Sequence, residues 1–183
     1  MALSKIDAAN FLTGTIPQGN VANASLGAVT ALPGAIATGK ILQVVTTTKT
    51  DATTTSSSSY VDISGMSVSI TPSSTSNKVL IMFDIGTSST NTARNDFVRL
   101  MRDSTAIVDP ANFFRLPSGG STNEMYNCST NYVDSPSTTS ATTYKLQWLS
   151  EAGLATCTLN RRGSNSVIRT ASTITAMEIS GWL

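Results

Sequence analysis

The chain reads as an all-β protein, an antiparallel β-sandwich of jelly-roll type preceded by an extended N-terminal segment. Three observations predict this. Apolar and polar residues alternate at period two, as in SGMSVSIT, where Met66, Val68 and Ile70 face one way and Ser67, Ser69 and Thr71 the other. Ser and Thr together supply about 30% of the 183 residues while charged residues supply only 13%, and Thr favours pleated sheet as Ser favours turns. Turn-forming Ser, Asn, Gly, Asp and Pro recur at short intervals with almost no helical periodicity between them.

Residues 1–39 differ from the rest. Ile6, Phe11, Leu12, Ile16, Val21, Leu26, Val29, Leu32 and Ile36 stand isolated among Gly, Ala, Pro and Asn. Such a segment cannot bury a core of its own and gains order by packing on copies of itself or on another protein. From Lys40 to Leu183 the segments ILQVVTTT, SYVDIS, MSVSIT, KVLIMFDIG, DFVRLMRDS, EMYNCSTNYV, TTYKLQWLS, LATCTLNR, SVIRT and STITAMEIS read as strands. Pro72 cannot donate to a ladder and ends MSVSIT. KVLIMFDIG is apolar on both faces: Val79, Ile81, Phe83 and Ile85 share one, Leu80 and Met82 the other. It is expected at the centre of a sandwich or under a neighbouring subunit. Tyr144, Leu146 and Trp148 form one face of TTYKLQWLS, and Met177 with Ile179 one face of the last strand. The Ser/Thr runs read as turns and wet faces. Phe113 and Phe114, in the longer loop DPANFFRLPSGGSTN, read as pins for that loop.

The net charge of +1 gives no reason to expect nucleic acid or an anionic membrane as partner. The most apolar stretch, LGAVTALPGAIATGKIL, consists of small residues broken by Pro33 and Lys40 and is not a membrane span. Cys128 and Cys157 read as buried thiols rather than as a pair. The sequence has no histidine, which removes Ser-His-Asp and Cys-His catalysis and most zinc sites. Its three Glu residues, Glu124, Glu151 and Glu178, are far apart, and neither they nor Asp84, Asp96, Asp103, Asp109 and Asp134 give the spacing of a glycosidase pair. The chain is therefore read as a non-enzyme with no cofactor and no metal. The binding candidates are Arg115 in the 109–122 loop and Arg161 with Arg162 in the 160–166 turn, since Arg offers bidentate contacts to anionic sugars. The plainer reading of the last two is a solvated hairpin.

The opening ALSKIDAANFLTGTIP and ATGKILQVV resemble the N-terminal and linker segments of short tail-fibre and related virion proteins of bacteriophages. YVDISGMSVSITPSSTSNKVLI, VRLMRDSTAI, VDSPSTTSATTYKLQW and STITAMEIS are similar to the β-rich domain that follows that linker. The Gly-Gly-Thr-Gly run frequent in such linkers is absent. The resemblance implies a structural phage virion protein made in the host bacterial cytoplasm, a homotrimer whose residues 1–39 bind other virion proteins and whose residues 40–183 project as a knob. Host attachment to a cell-surface glycan or protein is the implied role; the alternative is a capsid decoration (cement) protein or head fibre.

Overall fold

The computed structural model describes residues 41–90, 96–108, 115–116, 124–150, 156–163 and 165–180. The segment 1–39, Phe113, Phe114 and most of the 109–122 loop lie outside them. In chain order the strands are β1 (Ile41–Lys49), β2 (Thr53–Thr55), β3 (Val61–Ile70), β4 (Lys78–Ser89), β5 (Asp96–Arg102), β6 (Thr105–Val108), β7 (Arg115–Leu116), β8 (Tyr126–Asp134), β9 (Thr142–Ser150), β10 (Cys157–Leu159), β11 (Arg161–Arg162), β12 (Asn165–Arg169) and β13 (Ser172–Ile179). All pairings are antiparallel.

One sheet runs β1-β13-β4-β8 and the other β3-β9-β5-β6. Ordering the eight long strands along the chain, the first sheet takes the first, eighth, third and sixth, and the second takes the second, seventh, fourth and fifth. That interleaving is a jelly roll, two nested Greek keys closed into a sandwich. β8 occupies one edge of β4 from Val79 to Thr87, so β13, which ends opposite Asp84, and β10, opposite Thr87 to Ser89, share the other edge in succession. β2 pairs with β10, β7 with β5, and β11 with β12 as a separate hairpin.

Alternation puts most of the core where the sequence places it: Met66, Val68 and Ile70 of β3, Val79, Ile81, Phe83 and Ile85 of β4, and Tyr144, Leu146 and Trp148 of β9 pack in one buried cluster. On β13 the inward apolar residues are Ile174 and Ala176, and the Met177 and Ile179 face points outward. Each large apolar side chain so buried contributes about 1.5–3 kcal/mol. Two expectations are corrected. SYVDIS and MSVSIT are one strand, because Gly65 at φ 79° makes a bulge that spends extra residues opposite β9 and returns both Ile63 and Met66 to the inward face. The Ser/Thr residues are not all turns and wet faces either: Thr87, Ser88, Thr142, Thr158 and Ser172 are buried, and Thr158 repays its burial by donating to the carbonyls of Ser88 and Arg161.

Three polar clusters fix the sandwich. Asp134 of β8 accepts from Arg102 Nη1 at 3.0 Å through each oxygen and from the Tyr144 hydroxyl at 2.7 Å, tying the first sheet to the second. Glu178, inward on β13, accepts from Ser73 N–H at 2.6 Å, Ser73 Oγ at 2.7 Å and Asn77 Nδ2 at 2.6 Å, and so holds the SSTSN turn between β3 and β4. Burial opposes its charge, but these donors outweigh burial and hold the carboxyl below its ordinary value. Asn160, at φ 60° and fully buried, donates through Nδ2 to the carbonyls of Lys49 and Asp51 and accepts from Ser172 Oγ, whose own oxygen receives Gly86 N–H. Asn tolerates this left-handed conformation as few residues do.

Glu178→Ala is expected to cost about 3 kcal/mol in urea unfolding, because it strands the donors of the turn. A loss below 1 kcal/mol would show that the turn holds itself. Alkali gives a second expectation. Burial, with the Asp84 charge adding to it, raises the Cys128 thiol from 9.0 to about 12. The unfolded chain then releases this proton first, so stability is intact below pH 9 and falls from there toward pH 12, at up to about 1.4 kcal/mol per pH unit. Cys128→Ala should flatten that slope in unfolding curves taken across this range.

Candidate assembly surface

Whatever points inward along a strand, its neighbours point outward, and the two outer faces of the sandwich differ. On the β3-β9-β5 face a group of charged and polar side chains is mutually satisfied, beside the outward apolar residues Phe97, Leu149 and Met101. Arg99 donates through Nε and Nη2 to Gln147 Oε1 at 2.9 and 2.6 Å, and Gln147 Nε2 and Lys145 Nζ both donate to Asp62, at 2.6 and 2.8 Å. The Arg99 guanidinium lies 3.9 Å from the centre of the Tyr60 ring. The Lys145 and Gln147 hydrogen bonds hold the Asp62 carboxyl below its ordinary value.

On the β1-β13-β4-β8 face, Val44 is opposite Met177, Met177 opposite Leu80, and Leu80 opposite Val133, so one row of four apolar side chains crosses the whole sheet. Val44 is 52% and Val133 54% exposed, and Leu42 and Ile41 beside them are 46% and 58% exposed. Ile179 and Met82 flank the row. A continuous apolar strip is a candidate interaction surface. The chain enters β1 at the same end, since Ile41 is opposite Ile179.

Toward the other end the face turns polar. The next row is Thr46, Thr175, Met82 and Asn131, and the one after it Thr48, Thr173, Asp84 and Ser129. Beyond Asp84 the outward position of β4 is Gly86. A Cβ there would stand 2.2 Å from Thr170 Cγ2 and 3.6 Å from Met125 Cε. Only glycine lets Thr170 close over the strand, and the space so made is an open cavity of about 400 Å³ lined by Asp84, Gly86, Met125, Tyr126, Asn127, Thr170, Ala171 and Thr173.

The residues singled out from the sequence are dispersed. Arg115 lies in β7, opposite Phe97 at the edge of the second sheet. Arg161 and Arg162 form β11, opposite Arg169 and Asn165. The expected hairpin is there, yet both side chains are half-buried rather than freely solvated, and Arg161 Nε is buried with no hydrogen-bond partner among the described residues. Two of the carboxylates weighed for catalysis, Asp134 and Glu178, are buried in the structural clusters described above. Both cysteines are free and buried. The apolar row was half visible: Leu80, Met82, Met177 and Ile179 stood out as apolar faces, but their alignment with Val44 and Val133 is a matter of register.

No family model matches the chain, and no curated protein sequence matches it. Among solved structures the chain is similar to that of infectious bursal disease virus strain Gx, at 13% identity and a TM-score of 0.43 over 76% of this chain and 37% of that one. It is likewise similar to the VP2 subviral particle of infectious bursal disease virus, at 14% identity and a TM-score of 0.39 over 76% and 38%. The chain thus spans under two fifths of the length of the capsid structures it resembles.

Because Val44 and Val133 are mostly exposed in the single chain, Val44→Thr with Val133→Thr is expected to change unfolding free energy of the isolated chain by no more than about 0.5 kcal/mol each. A larger loss in thermal or urea unfolding at low protein concentration would mean that these side chains are part of the core.

Proposed function

We propose that this chain is a structural protein of a bacteriophage particle, a homotrimeric fibre whose jelly-roll domain is a knob used in host attachment. The observation that carries the reading is the Val44-Met177-Leu80-Val133 row on an outer sheet face. The other outer face carries the Arg99, Gln147, Lys145 and Asp62 group, which is satisfied within itself, so the apolar row is the surface that gains most by being covered. Three copies about one axis would cover it. The resemblance of ALSKIDAANFLTGTIP and ATGKILQVV to phage fibre linkers supports attachment of residues 1–39 to other virion proteins. The polar end of the face, with its loops, is then free to meet a host surface, as binding residues on rigid scaffolds usually are.

Light scattering of the full chain at micromolar concentration is expected to give three times 19.1 kDa. Leu80→Asp should return it to a single chain with strand content by circular dichroism retained, because a charge placed in an apolar interface must be desolvated. A wild-type monomer would overturn the assembly. Antibody labelling of particles is expected at the tail; labelling of the shell would replace attachment by capsid decoration.

A further inference from the structure

We propose that the cavity over Gly86 is a saccharide site that takes a neutral hexose, an inference that deepens the attachment reading and rests on it. Its volume of about 400 Å³ falls within the range of small-molecule sites, about 300–1,000 Å³. It sits at the polar end of the outer face, away from the apolar row: Leu80 and Gly86 are six positions apart on β4, roughly 20 Å at the rise of a strand.

The lining matches the two surfaces of a pyranose. Asp84 and Asn127 are exposed, and neither side chain makes a hydrogen bond to another described residue. A carboxylate accepts from two vicinal hydroxyls, and an amide both donates and accepts, so together they suit a ring of alternating donors and acceptors. The Thr173 hydroxyl, directly opposite Asp84, adds a third polar contact. Met125 and Thr170, whose methyl groups close over Gly86, supply an apolar wall for the C–H face of the sugar. Among the described residues the one charged group in the lining is a carboxylate, which disfavours phosphate and acidic sugars by like-charge repulsion.

The contacts are also held in place beforehand. Asp84 and Asn127 are on paired strands, Asn127 directly opposite Gly86. Gly86 is fixed from beneath, its N–H to Ser172 Oγ at 3.2 Å and its carbonyl to Asn160 N–H at 2.8 Å. Thr170 is bound through its N–H to the Asn160 carbonyl at 3.3 Å. The buried Asn160 cluster thus positions both the floor and one wall, which lowers the ordering cost of binding.

The test is saturation-transfer NMR on the full chain with the methyl glycosides of glucose, galactose and mannose at millimolar concentration. At least one is expected to receive magnetisation, and Asp84→Ala and Asn127→Ala should each weaken it by about tenfold, the cost of one lost hydrogen bond to a charged or amide group. Both positions are exposed, so thermal unfolding and assembly mass should be unchanged. Transfer to none of the three glycosides, or transfer undiminished in both variants, overturns the site. The two readings fail separately: a trimer that binds no hexose sinks this site and leaves the assembly standing, whereas a monomer that binds hexose sinks the assembly and leaves the site.

Discussion

The rest of the structure depends on the strict alternation of β4. A strand sends successive side chains to opposite faces, and β4 is paired on both edges, so neither face can be traded for a free edge. Val79, Ile81, Phe83 and Ile85 therefore have to seal the core. Leu80, Met82, Asp84 and Gly86 are committed to the outside by the same geometry. The apolar row, the polar end and the cavity are three consecutive stretches of one strand's outer face.

The polar clusters work at the margins of that constraint. A sandwich filled by alternation alone leaves its ends open, where the chain must turn and backbone groups lose ladder partners. Glu178 closes one such end by collecting three donors from the 73–77 turn, and Asp134 closes a gap between the sheets with Arg102 and Tyr144. Asn160 does the same for the junction of β1, β4 and β13. Asp134 and Glu178, the buried carboxylates among the described residues, are thereby accounted for by architecture.

The contrast between the two outer faces gives the assembly reading its direction. Arg99, Gln147, Lys145, Asp62 and Tyr60 form a chain of contacts that water can surround without loss. Val44 and Val133 can do nothing comparable, since an apolar surface gains free energy only by leaving water. A chain with 13% charged residues has few charges to place, and on this sheet's outer face Lys78 and Asp84 stand at either side of the apolar row rather than in it.

Period two in SGMSVSIT, KVLIMFDIG and TTYKLQWLS determined the strands, their inward faces and the sandwich class, because alternation is a local property that any packed neighbour must respect. It also marked Leu80 and Met82 as needing cover. The tertiary structure alone decided which strands became neighbours. That Val44, Met177, Leu80 and Val133 form one row depends on a register joining four strands up to about 130 residues apart along the chain, and pairing over such distances is set by the global closure of the fold rather than by any local preference. The bulge at Gly65, the burial of Thr158 and Ser172, and the half-buried state of Arg161 and Arg162 have the same origin: a serine or an arginine in a polar run carries no sign of what the other sheet or the next hairpin will bring against it.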